Sequence, residues 1–246
     1  MSEREEVLLE PAFVLHQRPY RNTSLIIDCL TGRFGRMALV AQGARRVESR
    51  QRSLLQPFRR VRLSWIRRGE MGRLTQAEAD SEAPPQELGG EGLMAGFYLN
   101  ELLLRLVPRG DHNERILSCY SSCLDRLAGS ASSASALRTF ELELLEALGY
   151  RVDLERDFRT GKPIDPDRDY VFVHEGGLTI SGTNGKMNQY SGRHLIALRE
   201  QRLLDPESLR AARQLLGGIL DQHLGDRPLK TRRVLREIIE RGLSGR

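Results

Sequence analysis

The sequence predicts an α+β chain of two parts: a small five-stranded β-barrel, then an α-helical domain that carries a small irregular β insertion. Three observations lead there. In the first eighty residues short runs alternate apolar and polar side chains, with glycine or proline at the breaks. At 81–92 the composition changes abruptly to SEAPPQELGGEG, rich in proline, glycine and acids. Beyond that linker, apolar residues recur every three or four positions, the spacing of helices. The expected domains are 1–80, a linker at 81–92, and 93–246 with its insertion at about 150–185.

The expected strands are 12–16, 24–31 (SLIIDCLT), 37–41, 57–66 and 72–79. The fourth alternates most cleanly, with Val61, Leu63 and Trp65 on one face and Arg60, Arg62 and Ser64 on the other. Five strands with arginines in the loops fit a barrel of the oligonucleotide-binding (OB) type. An SH3-like barrel gives almost the same pattern, and periodicity does not separate the two. Ahead of the strands, MSEREEVLLE reads as an acidic leader without the apolar core of a signal peptide.

Helical spacing over 93–106 is stopped by Pro108-Arg109-Gly110, and a second helix is expected at 113–127. A small-residue loop at 129–135 leads to a third helix, 136–148, whose face of Leu137, Phe140, Leu144, Leu145 and Leu148 belongs to a bundle core. Helical periodicity is lost over 150–185, which glycines and prolines break into short runs such as 170–173. Helices are expected again at 191–200, 206–224 and 230–241.

The chain has 246 residues and a formal net charge of +5, unevenly distributed. Residues 11–77 hold fourteen arginines, no lysine and three acids, a balance of +11 against −6 for the rest. Charge gathered into one segment marks a polyanion-binding surface. An anionic membrane is the competing partner. With no apolar run of spanning length, no amphipathic basic helix and no lipidation signal, nucleic acid is preferred.

The charge is densest in 32–52, GRFGRMALVAQGARRVESRQR. Arg33 and Arg36 precede the short third strand; Arg45, Arg46, Arg50 and Arg52 follow it, with Glu48 as the countercharge. A guanidinium is a planar fork that matches phosphate oxygens. These six arginines are the expected phosphate contacts on a nucleic acid, binding by counterion release with little sequence preference. Phe34, in the same loop, is the candidate for stacking on a base, whereas Trp65 shares its face with Val61 and Leu63. A merely solvated basic loop is the alternative.

Catalytic signatures are missing. Gly161-Lys162 and Gly185-Lys186 resemble fragments of a phosphate loop, but Arg156 and Ile180 replace the upstream glycine, and Pro163 and Met187 the hydroxyl residue. Cys119 and Cys123 stand four apart with no histidine at ligand spacing, so they read as core thiols. With Cys29 they suit a reducing compartment, the cytoplasm. No GxSxG elbow or two-metal acid cluster is present, and Asp165 and Asp167 lie in a turn-rich stretch. The chain is expected to be no enzyme and to need no cofactor. An RNA-binding OB protein and, with less support, a metal-dependent nuclease are the alternatives.

Eight phrases, in order over some 220 residues, carry a resemblance. They are AFVLHQRPYRNTSLIID at 12–28, GRMALVAQGARR at 35–46, LQPF at 55–58 and GEMGRLTQAE at 69–78. YLNELLL at 98–104, LRTFELELLEALGY at 137–150, TGKPID at 160–165 and RPLKT at 227–231 follow. Together they resemble the bacterial RecO family of DNA repair and recombination mediators. The resemblance implies an OB domain followed by a helical one, binding of single- and double-stranded DNA, and annealing of complementary strands. It implies RecR and the C-terminal tail of the single-stranded-DNA-binding protein (SSB) as partners, RecA as the protein loaded afterwards, and a nucleoid-associated location.

Arg138, in the matching phrase LRTFE, is the candidate to receive the acidic SSB tail and its terminal carboxylate; a surface arginine paired with Glu141 or Glu143 is the alternative. Lys230, Arg232 and Arg233 form a smaller basic turn that would extend the DNA path. Two departures stand out. Many members carry a four-cysteine zinc site in the insertion, but 150–185 contains no cysteine, so no metal is expected. Gln42 stands where the family often has lysine.

Overall fold

Alternating side chains along five segments bury one face each and close on themselves. In the computed structural model, which describes residues 5–67, 69, 71–81, 87–129, 132–174, 176–182 and 188–234, the strands are β1 (Glu5–Tyr20), β2 (Ser24–Thr31), β3 (Gly35–Ala41), β4 (Arg60–Arg67) and β5 (Met71–Ala79). They form a closed barrel in the order β1-β2-β3-β5-β4, with β4 returning to β1. Every pairing is antiparallel except β3 with β5, where Ala38 to Val40 run parallel to Met71 to Arg73. A short helix, α1 (Gln51–Leu54), lies in the β3–β4 connection. This is an OB-like barrel. The ambiguity with an SH3-like barrel is removed by strand order.

Val14, Ile27, Cys29, Leu39, Leu63 and Trp65 fill the interior, each fully buried. The first strand is much longer than the expected 12–16, and part of the acidic leader belongs to it. Its pairing with β4 slips between Val7 and Glu10, where Leu9 takes a left-handed φ of 49°, and its pairing with β2 slips between Val14 and His16. Each slip changes which side chains point inward, so a single alternation cannot run the length of the strand.

The chain divides into two compact units, Met1–Ala128 with Leu229–Arg246, and Gly129–Pro228. The helices α2 (Gly90–Leu106) and α3 (Glu114–Ala128) therefore belong with the barrel, and α2 begins inside the expected linker. Asn100 on α2 donates to the carbonyl of Leu15 at 2.7 Å and accepts from the Tyr120 hydroxyl of α3 at 2.6 Å; Phe13 meets the Tyr120 ring edge-on. The outward residues Ile26 and Leu30 of β2 are buried as well, since α3 packs on that strand. Where the α2–α3 connection crosses β3, Gly110 N–H donates to the Arg36 carbonyl at 3.0 Å. A Cβ on Gly35 would fall 1.9 Å from the Asp111 carbonyl oxygen, so only glycine fits there.

The second unit contains α4 (Ser133–Ala147), α5 (Gly192–Arg199) and α6 (Pro206–Leu224). Its antiparallel sheet is ordered β7-β6-β8 from β6 (Asp169–Val173), β7 (Gly177–Ile180) and β8 (Gln189–Ser191). The third strand lies beyond the expected insertion at 150–185. In the first unit residues 230–234 are helical; the rest of the helix expected at 230–241 lies outside the described residues, as do 82–86 of the linker and the Gly185-Lys186 pair.

Candidate nucleic-acid interface

The arginines that looked alike in sequence separate into two groups. Arg33 is exposed but ion-paired with Glu10, and Arg36 is largely buried. Arg33 Nε donates to Glu10 Oε2 at 2.6 Å while its backbone N–H donates to Glu10 Oε1 at 3.1 Å. With Glu10, Phe13, Arg60 and Leu117 it lines a cleft of about 510 Å³ rather than the surface of the β3–β4 loop. Arg36 Nε donates to the Val107 carbonyl at 2.7 Å, and its Nη1 lies 3.7 Å from Asp28, which Arg109 also approaches at 3.3 Å. Burial, with Arg109 nearby, pulls the Arg36 pKa down, and Asp28 opposes that. Phe34 turns inward: its ring meets Trp65 edge-on at 5.2 Å and packs against the barrel core. Trp65 is fully buried and has no surface for a base.

Arg45, Arg46, Arg50 and Arg52 are exposed, and among the described residues none is paired with an acid. Gly43, at φ 71°, turns the chain out of β3, and Ala44 is buried beneath. Successive turn bonds, Arg46 N–H to the Gly43 carbonyl and Ser49 N–H to the Arg46 carbonyl, then fold the loop toward α1. The loop is not free-standing. Arg45 N–H donates to the Thr23 carbonyl at 2.9 Å, and its Nη1 donates to the carbonyls of Arg21 and Asn22 at 3.2 and 3.3 Å. Further along, Gln17 Nε2 donates to Gln56 Oε1, and Gln56 Nε2 donates to the Arg52 carbonyl. The β3–β4 loop is thereby laced to the end of β1 and to the β1–β2 turn.

That lacing brings in two cations outside the expected set. Arg18 and Arg21 are exposed at the end of β1 and in the turn that follows. A signal was available: the β1–β2 loop is a habitual oligonucleotide contact of OB barrels, and Arg21-Asn22-Thr23 sits between two readable strands. Six arginines, 18, 21, 45, 46, 50 and 52, thus share one rim. The outer face of β2 and β3, the other habitual site, is partly covered by α3 and the α2–α3 connection.

Arg138 is buried rather than exposed. Its side chain is 9% exposed and its Nη2 donates to Glu141 Oε1, on a fully buried carboxylate, at 2.7 Å. Its Nε is buried with no acceptor among the described residues. In the first unit, Glu101 accepts from Lys230 N–H, Thr231 N–H and the Thr231 hydroxyl, all within 2.8 Å, and so fixes the basic turn at 230–233 against α2. Among the described residues no group of three or more His, Cys, Asp or Glu side chains is placed to hold a metal ion, and no helix is long and apolar enough to cross a membrane.

Family models described as Recombination protein O N terminal and Recombination protein O C terminal match residues 6–81 and 89–233. The chain belongs to the RecO family. DNA repair protein RecO of Nitrosococcus oceani is 42% identical over 233 residues, 94% of each chain. The RecO protein of Nitrosospira multiformis is 40% identical over 231 residues, 93% of this chain and 94% of that one. The RecO protein of Coxiella burnetii is 38% identical over 231 residues, 94% of this chain and 99% of its own. The barrel lies within the match to the N-terminal RecO model, and all the helices from α2 to α6 within the match to the C-terminal one.

Proposed function

We propose that this RecO-family chain is a non-enzymatic DNA mediator. It binds single- and double-stranded DNA along the arginine rim, anneals complementary strands and, with RecR, helps RecA onto SSB-coated single strands. The supporting observation is the group of exposed arginines, without acid partners among the described residues, that Arg45 ties to the β1–β2 turn of an OB-like barrel. Phosphates replace condensed counterions along such a rim, which gives affinity without sequence preference. Two strands neutralised on one surface approach each other, and base pairing then selects the complement. Arg33, Arg36 and Phe34 support the barrel mouth in this scheme, and the phosphates fall to Arg18, Arg21, Arg45, Arg46, Arg50 and Arg52.

Arg138 anchors the terminal carboxylate of the SSB tail in this proposal. In its favour is a buried guanidinium that bonds Glu141 through Nη2 and keeps its Nε donor without an acceptor among the described residues. The decisive experiment is annealing of SSB-coated complementary strands with and without the protein, against a matched RNA pair as competitor. Acceleration on DNA is expected. No acceleration, or a preference for RNA, would overturn the proposal.

A further inference from the structure

Trp65 is fully buried, and Phe34, half-buried, meets it edge-on while the Arg33 guanidinium stands 5.3 Å from the Phe34 ring. Another ring stands on the rim itself. Tyr20 ends β1, pairs with Ser24 across the β1–β2 turn and is half-buried. Arg21 follows in a left-handed conformation, φ 50°, uncommon for a residue other than glycine. Arg45 bonds the carbonyls of both Arg21 and Asn22. The Arg21 guanidinium lies over the Tyr20 ring, 5.2 Å from its centroid.

Resting on the DNA-binding proposal above, we infer that Tyr20 and Arg21 form a nucleobase-stacking subsite for single-stranded DNA. An exposed cation–π contact is weaker than a base stacked on an aromatic ring, so a base displaces Arg21 from the ring and frees its guanidinium for the neighbouring phosphate. The subsite takes any base, since every base has a π face. It favours single strands, because a paired base is already stacked within its duplex. It also gives the rim one contact that salt does not weaken, beside several that it does.

The test uses the full chain and a single strand carrying 2-aminopurine, with an equally charged abasic strand alongside. Tyr20→Ala is expected to lose about tenfold in affinity for the normal strand. Its salt slope should stay at the wild-type value, its affinity for the abasic strand should not change, and the quenching of 2-aminopurine on binding should disappear. Tyr20→Phe should behave as wild type, which separates stacking from the hydroxyl. Equal loss on normal and abasic strands would overturn the inference by making the ring a support for the loop. Unchanged affinity and quenching in Tyr20→Ala would overturn it too. If the wild-type chain binds neither strand, the DNA-binding proposal itself fails, a result distinct from both.

Discussion

Arg45 holds the backbone carbonyl of Arg21 at 3.2 Å, across 24 positions of sequence. The loop after β3 and the turn after β1 are therefore tied together. Arg45 is for this reason a different residue from its neighbour Arg46, although both are exposed arginines in the same loop.

Lysine substitution should separate the two. Arg46→Lys keeps the charge and should bind DNA nearly as wild type. Arg45→Lys loses the fork that spans two carbonyls and should bind several-fold more weakly. With four to six phosphates neutralised, the slope of log affinity against log salt on single strands should be about −3 to −4. Replacing both residues with alanine should flatten it by about one to two units, since each lost contact removes about 0.7. Anisotropy titrations over a salt series would decide, and a double variant with the wild-type slope and annealing rate would remove these residues from the interface.

Arg36→Ala should act on stability instead. Its guanidinium bonds the Val107 carbonyl and faces Asp28, both largely out of water. Losing a charged hydrogen bond in such a place costs about 2 kcal/mol. Urea unfolding should show that loss while the salt slope of DNA binding stays unchanged. A flattened slope with unaltered stability would put Arg36 on the DNA after all.

Arg138→Ala should weaken binding of an SSB tail peptide and leave naked DNA binding nearly intact. It should also destabilise the protein by about 3–5 kcal/mol, because the Glu141 carboxylate loses its cation while fully buried. The double variant Arg138→Ala with Glu141→Leu removes both charges and should recover much of that stability without recovering tail binding. Recovery of both would mean that Arg138 matters only through folding.

Asp157 should make the second unit acid-sensitive. Burial works to raise its pKa, but backbone N–H groups of Thr160 and Ile180 and the Thr179 hydroxyl outweigh burial and hold it below the usual carboxylate range. A depressed folded-state pKa contributes stability at pH above the unfolded value of about 3.9, and that stability is lost as pH falls through the folded value. Asp157→Asn should flatten this acid limb of urea unfolding followed from pH 7 down to 3 and lower stability at neutral pH. A chelator should leave both curves where they are. Stoichiometric zinc by elemental analysis, or a chelator-dependent transition, would count against a metal-free fold.

Much of the architecture was readable one residue at a time. Trp65 was placed inward by its alternation with Val61 and Leu63, and α6 was bounded by Pro206 and Leu224 as its spacing implied. Strand β1 was readable only over 12–16, because its two register slips erase the alternation that marks the rest of it. Lys230 and Thr231 could be seen as a basic turn, but not as one fixed by Glu101 some 130 positions away.

The sequence by itself determined the family, a five-stranded barrel followed by helices, and a segment from 11 to 77 with a charge of +11. Side-chain period and residue type are local properties, legible without coordinates. Only the tertiary structure decided how the barrel closes, through the parallel pairing of β3 with β5 and the return of β4 to β1. Only it decided which of that charge is free. Glu10 takes Arg33, Asp28 faces Arg36, Asp80 takes Arg60 and Arg62, and Glu5 takes Arg67. A charge is written in its residue, but its partner is set by where the chain folds back, and that is a property of the whole barrel.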